Sequence, residues 1–205
     1  MSKIFGVLGL ANSGKSTVSE MLVNEYGFEH MSFADSLKEA ISSIFGWPME
    51  MLRGKTSESR IWREQIDEWW AKRLGMPELT PRWVLQQWGT EICRNRFHQD
   101  IWVASLEKKL NKTDKNIVID DCRFVNEITA IKNSGGLLLK VMRGPLPPWH
   151  SAALTTLDYG DNLMAKYYPT VHISEWGWAD QKVDFILDNN NDLNNLRLQI
   201  KKIMS

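Results

Sequence analysis

Gly9-Leu10-Ala11-Asn12-Ser13-Gly14-Lys15-Ser16, with Thr17 directly behind it, decides how the rest of the chain reads. It fits G-x-x-x-x-G-K-[ST], a loop that wraps phosphate. Ile4-Phe5-Gly6-Val7-Leu8 ahead of it reads as a short buried strand, and Thr17 to Val23 behind it has apolar residues at helical spacing. Gly9 and Gly14 let the backbone close on an anion with dihedrals that other residues adopt only at a steric cost. The loop amides, those of Asn12 and Ser13 among them, then face phosphate together with the positive end of the helix. Lys15 would reach the β- and γ-phosphates, and the Ser16 hydroxyl would ligate Mg²⁺ with Thr17 beside it. The N-terminus therefore predicts a site for ATP or a similar nucleoside triphosphate.

Outward from that loop, strands alternate with helices. A second strand is expected at Glu29–Phe33, and Asp35 then caps a helix over Ser36–Phe45. Glu58–Leu74 reads as one amphipathic helix whose stripe is Ile61, Trp62, Ile66, Trp69, Trp70 and Leu74. Such tryptophans stack bases in some proteins, and more often they are core or interface. Thr80-Pro81 starts a helix with a good N-cap and a proline at its first position. That helix contains an unusual internal Gly89-Thr90, which suggests close packing or a ligand. Asn116 to Asp121 is an apolar strand ending in two carboxylates, and Leu137–Met142 is another, ending at Arg143. Gly144 to Tyr168 reads as a Pro-rich loop, Val183–Leu187 as the last strand and Asp192–Met204 as the last helix.

The pattern predicts an α/β fold, a three-layer P-loop sandwich around a mostly parallel five-stranded sheet. One domain over 1–205 is expected, with a helical insertion at about 47–80 and a lid-like loop at about 144–171. Ligands in such folds bind beyond the carboxyl ends of the strands. Gly9, Asp35, Asp121 and Arg143 all sit at expected strand ends and should converge on one crevice.

Composition narrows the function classes. The formal net charge is zero, which argues against a nucleic-acid coat or a polybasic membrane binder. Residues 51–112 carry 12 basic and 8 acidic side chains, against 3 and 6 in residues 1–50, so the middle third is the expected anionic-ligand region. A solvated, salt-bridged helical face gives the same count. Cys93 and Cys122 offer neither a disulfide framework nor a metal cluster. The chain has no membrane-length apolar run and no leader pattern, and a cytoplasmic setting is expected.

The acceptor of the phosphate is the open question. A hydroxyl acceptor needs a carboxylate base, whereas a phosphate acceptor needs cations to hold two anions in line. Arginines are plentiful, Arg82, Arg123 and Arg143 among them, and guanidinium suits bidentate grips on phosphate. Asp121 is the best carboxylate for Mg²⁺; capping the next helix or pairing with Arg123 is the alternative. Asp35 either caps its helix or touches acceptor, and Lys38, one turn on, either binds acceptor phosphate or is solvated. His30, His98, His150 and His172 show no metal-ligand spacing and read as structural, unless His172 joins the closing loop.

Three further blocks carry a resemblance. They are Trp88-Gly89-Thr90-Glu91 through Asn95, Phe97 and Trp102-Val103; Asp121-Cys122-Arg123 with Glu127 and the strand ending at Arg143; and His172-Ile173-Ser174-Glu175. In this order they resemble the bacteriophage deoxynucleoside monophosphate kinases of the T-even type. The resemblance implies a nucleoside-monophosphate-kinase-like P-loop fold, phosphoryl transfer from ATP to a deoxynucleoside 5′-monophosphate with Mg²⁺, a homodimer, and the cytoplasm of an infected cell. It implies Arg123 and Arg82 at the acceptor phosphate, Trp88, Thr90 and Glu127 in the acceptor pocket, and Arg143 on the donor side. The stretch before Trp88 is shorter than in the T-even enzymes and the 144–171 loop longer, so the acceptor base does not carry over. Two rival readings are a kinase for a hydroxyl acceptor, such as hydroxymethyl-pyrimidine in DNA with Asp35 as base, and a nucleotide-binding module without transfer activity.

Overall fold

The computed structural model describes residues 2–205, which divide into two compact units: 1–32 with 109–205, and 33–108. The first unit holds the sheet. Its strands are β1 (Ile4–Leu8), β2 (Glu29–Met31), β3 (Ile117–Ile119), β4 (Leu137–Met142) and β5 (Phe185–Asp188), in the order β2-β3-β1-β4-β5. Every pairing is parallel. The five-stranded sheet expected from the sequence is thus present, and parallel throughout.

Each strand reads as a nearly continuous apolar run because both sheet faces are covered. On one face Phe5, Val7, Val118, Leu139, Val141 and Leu187 pack against α1 (Lys15–Tyr26) and α11 (Leu193–Met204). On the other lies α8 (Val125–Asn133), which comes so near β1 that a Cβ on Gly6 would stand 2.6 Å from Ile131 Cδ1. Helix, sheet and helix make the three layers. α1 ends at Gly27, whose φ of 68° closes the helix in the left-handed form, and Asp192 caps α11 by accepting from the Asn195 N–H at 2.8 Å.

The stretch expected as a loop after β4 contains α9 (His150–Tyr159) and α10 (Leu163–Tyr167). Ala153 and Met164 are buried there, so a small apolar contact orders what Pro145 to Pro148 and a weak periodicity suggested was irregular. A 3₁₀ turn at Ile173–Glu175 precedes β5.

The second unit is helical: α2 (Asp35–Phe45), α3 (Met49–Arg53), α4 (Ser57–Glu64), α5 (Glu68–Leu74), α6 (Pro81–Gln86) and α7 (Ile101–Leu110). The expected insertion at 47–80 lies inside it. The single helix expected over Glu58–Leu74 is broken between α4 and α5. Asp67 breaks it, because its carboxylate accepts from the Trp70 N–H at 3.0 Å and from Trp47 Nε1 at 2.7 Å. The expected apolar stripe divides accordingly. Trp62 and Trp70 join an aromatic cluster with Phe45 and Trp47, while Ile61, Ile66, Trp69 and Leu74 are exposed. Thr80 caps α6 as expected, accepting from the Trp83 N–H at 3.1 Å. From Gln87 to Phe97 the helix continues with the wider π spacing. Gly89 is buried at its start, where a Cβ would stand 2.8 Å from Leu37 Cδ2, and its carbonyl accepts from Trp102 Nε1 at 2.9 Å. Long π runs are rare and favour functional sites. Among the described residues no helix is long and apolar enough to cross a membrane.

Candidate active site

The glycine loop leaves β1 and enters α1 as the sequence demands. Gly9 (φ 151°), Asn12 (φ 63°) and Gly14 (φ 102°) all have positive φ, which turns successive amides toward one concavity. A side chain at Gly9 would meet Ser13 Oγ and the Val141 carbonyl, and one at Gly14 would meet the Asn189 amide. Both glycines are therefore required by close approach as well as by φ. Asn189, just past β5 and buried, donates its Nδ2 to the Ser13 carbonyl at 2.8 Å, while its own N–H bonds the Met142 carbonyl. It ties the phosphate loop to the ends of β4 and β5. The sequence carried no signal for Asn189, which lies 176 positions from its partner.

Lys15 folds over the loop and donates Nζ to the carbonyls of Gly9 at 2.8 Å and Leu10 at 2.7 Å. Burial, then the Arg123 guanidinium, lower its pKa to about 8, against the opposing pull of Glu175 and Asp120. Ser16 is exposed at the head of α1 and Thr17 is half-buried behind it. The nest, the lysine and the helix N-terminus fit a polyphosphate, since each presents positive charge or N–H to the same concavity.

β3 ends in Asp120 and Asp121. Asp120 Oδ1 lies 2.8 Å from His30 Nε2, and Asp121 Oδ2 accepts from Ser32 Oγ at 2.6 Å. Both partners come from β2 or its end, which pairs with β3 in parallel register. The sequence argument singled out Asp121 and read His30 as structural. The structure adds Asp120, whose charge acts on Lys15 and whose orientation His30 helps fix. Strand alternation was the available signal: on β3, Val118 faces the α1 layer, and Asp120 is two residues on.

Arg123 is exposed and donates Nη1 to Glu175 Oε1 at 2.9 Å. Glu175 closes the turn in which His172 Nδ1 accepts from the Ser174 N–H at 3.2 Å. His172 is thus a turn cap close to the arginine. Glu127, expected in the acceptor pocket, is buried and accepts from the N–H groups of Arg123 at 2.8 Å and Phe124 at 3.1 Å. Its carboxylate caps α8 and shapes the loop that carries Arg123. Arg143 follows β4 and lines a recess of about 580 Å³ with Thr17, Asn191 and Arg197. Burial holds the Cys122 thiol well above its usual range, so it acts as a small core residue.

The remaining expected site residues belong to the helical unit. Asp35 is the first residue of α2 and Ala34 its N-cap, so Asp35 favours the helix N-terminus through charge instead of capping it. Lys38 lies one turn on. Arg82 is exposed, with Nε 4.0 Å from Glu64 Oε1. Trp88 meets the Phe45 ring edge-on at 5.8 Å, and Thr90 is half-buried in the π-helical segment.

A phosphate nest after the first strand of an all-parallel sheet, with paired carboxylates ending the neighbouring strand and an arginine three residues beyond the first of them, defines a P-loop phosphotransferase. No family model matches the chain. It is 32% identical over 154 residues to the "Putative deoxynucleotide monophosphate kinase" of Acanthamoeba polyphaga mimivirus, covering 68% of this chain and 74% of that protein. The chain belongs to the deoxynucleoside monophosphate kinase family. It is also 28% identical over 187 residues to the "Deoxynucleoside-5'-monophosphate kinase" of Escherichia phage T5, covering 67% of this chain and 74% of that one. Among solved structures, dephospho-CoA kinase from Campylobacter jejuni superposes with a TM-score of 0.48 at 20% identity, covering 100% of this chain and 96% of that one.

Proposed function

We propose that this kinase transfers the γ-phosphoryl group of ATP to a deoxynucleoside 5′-monophosphate. One observation carries the reading: the glycine nest and Lys15 stand within electrostatic reach of Asp120 and Arg123. Donor phosphates and a cationic grip for a second anion thus belong to the same compact unit. An oxygen of the acceptor phosphate attacks Pγ, a new P–O bond forms, and the bond from Pγ to the bridging oxygen breaks, leaving ADP. No base is needed for an acceptor that is already ionised.

Lys15 and the loop amides hold the β- and γ-phosphates, and Arg123 grips the acceptor phosphate and the charge that develops on transfer. Ser16, Asp120 and Asp121 are the oxygen donors available to Mg²⁺, which when bound offsets phosphate charge and aligns the transferred group. Arg143 serves the donor side. Asp35, Lys38, Arg82, Trp88 and Thr90 serve the acceptor from the helical unit, and Glu127 acts through the Arg123 loop. The enzyme works as a homodimer in the cytoplasm, the phage-infected host cell being the setting that the family resemblance implies.

The test is ADP release from ATP and Mg²⁺ against the four deoxynucleoside monophosphates, ribonucleoside monophosphates and hydroxymethylated DNA. Turnover with one or two deoxynucleotides, lost in Lys15→Ala, is expected. Turnover with DNA alone refutes the acceptor assignment. Light scattering after size exclusion gives the oligomeric state.

A further inference from the structure

Beside the phosphate loop, on the sheet face opposite α1, runs a narrow crevice. Gly9, Leu10 and Ser13 form one wall and the end of β4 with His150 and Trp178 the other. Lys140 stands in it. A lysine at this point of β4 is out of keeping with its strand, since its register partner on β1 is the fully buried Leu8 and its neighbours Leu139 and Val141 are core. Its ammonium lies 5.6 Å from the centroid of the buried Trp178 ring, and burial lowers its pKa. His150, the first residue of α9, is lowered in turn by burial and by the Lys140 charge. Arg143 lines the same crevice, and no acidic side chain does.

The other wall carries an independent sign. Ser13 is only 2% exposed, and its hydroxyl has no hydrogen-bond partner. Buried hydroxyls without partners are uncommon and call for a ligand or a water. Between Gly144 and Lys182 the chain has no arginine, so the positive charge on this flank falls to Lys140, Arg143 and His150. Cations without a carboxylate, facing an unsatisfied hydroxyl beside a phosphate loop, form a site for an oxyanion.

We propose that this crevice is a phosphate-binding subsite on the β4 flank of the loop, in which Lys140 and His150 pair with the oxyanion and Ser13 Oγ donates to it. The oxyanion is either the outermost phosphate of a chain seated on the loop or a separate phosphate. Only the first source rests on the function proposed above.

The test follows the His150 ring resonance of the full chain by NMR, assigned by its loss in His150→Gln, during titration with tripolyphosphate and, separately, orthophosphate. The expected result is an upward move of about one pH unit in the His150 midpoint on saturation. Lys140→Met, which keeps the aliphatic contact with Trp178, should weaken the responsible anion about tenfold. A shift with tripolyphosphate that disappears in Lys15→Ala assigns the anion to a chain on the loop. A shift with orthophosphate that persists in Lys15→Ala assigns a separate phosphate. If neither anion moves His150 while tripolyphosphate saturates the Gly14 amide shift, the subsite is refuted and the cations serve only to pack on Trp178. Loss of turnover with every acceptor while His150 still responds would defeat the proposed function and leave the subsite standing.

Discussion

Glu127→Ala tests how the Arg123 loop is held. Glu127 is 2% exposed, and one of its oxygens accepts two backbone N–H groups, at 2.8 Å and 3.1 Å. Removing the carboxylate leaves both donors without that acceptor at the head of α8. An unsatisfied buried donor costs about 1–3 kcal/mol and a lost helix cap about 1 kcal/mol, and the two accounts overlap, so about 2–4 kcal/mol is expected in total. For a chain of this size each kcal/mol lowers the melting temperature by about 2–4 °C, giving a drop of about 4–16 °C. Glu127→Gln keeps an acceptor oxygen and loses only the charge assistance, about 1 kcal/mol. Calorimetry measures the melting temperature, and amide hydrogen exchange reads the site itself. The N–H groups of Arg123 and Phe124 should lose protection in the alanine variant and keep most of it in the glutamine variant. Turnover should fall with them, since the loop no longer presents Arg123 at a fixed point. If Glu127→Ala melts within about 1 °C of the parent with both amides still protected, the capping account is wrong.

Lys15 links donor binding to pH. With its pKa lowered to about 8 in the free protein, polyphosphate binding that restores the charge must take up a proton near that pH. Calorimetry of ATP binding in buffers of different ionisation enthalpy should show uptake between pH 8 and 9 and none at pH 6; no uptake at either pH refutes the shift. The same shift acts on stability with a definite sign. A lysine whose folded pKa lies below its unfolded value of 10.5 binds more protons unfolded, so its destabilising contribution is full below about pH 8 and relieved as pH rises toward 10.5. Comparison of Lys15→Met with the parent in urea melts should show the mutant's advantage shrinking over that window. Asn189→Ala removes the tie to the Ser13 carbonyl and should raise the KM for ATP about tenfold, with little change in the KM for acceptor; equal effects on both contradict a role confined to the loop. Gly6→Ala forces Ile131 Cδ1 and Leu138 Cδ2 to move and should cost about 1–3 kcal/mol in urea melts, whereas an unchanged midpoint means that α8 yields freely.

What was legible in the sequence was local. β1, the glycine loop, α1 and β4 follow from short-range patterns, and the structure reproduces their limits closely because both the dihedral demands and the apolar runs lie within a few residues. The break between α4 and α5 was not legible, because Asp67 finds Trp47, 20 positions away, and only that contact stabilises the turn over a continued helix. α9 and α10 were hidden by prolines before them and by faces too mixed to show a period. The π spacing after Gln87 leaves no mark in an apolar pattern at all. In the site, Lys15 and Arg123 could be named from motifs, whereas the pairing of His30 with Asp120 across 90 positions needed the strand register. Lys140 was read merely as part of a strand, since a single polar residue in an apolar run does not reveal what it faces.

The strand order has a consequence for how the chain is made. β1 pairs with β3 and β4, and β2 pairs with β3, so β1 and β2 are not neighbours. A nascent chain leaving the ribosome therefore has no two strands that can join until Ile117–Ile119 has emerged. At about 5–20 residues per second, the first strand and its phosphate loop wait several seconds without a ladder. The helices of 33–108, whose contacts lie close in sequence, have that interval to collapse first. Assembly of the nucleotide site is thus a late event in synthesis, although its signature motif is among the first residues translated.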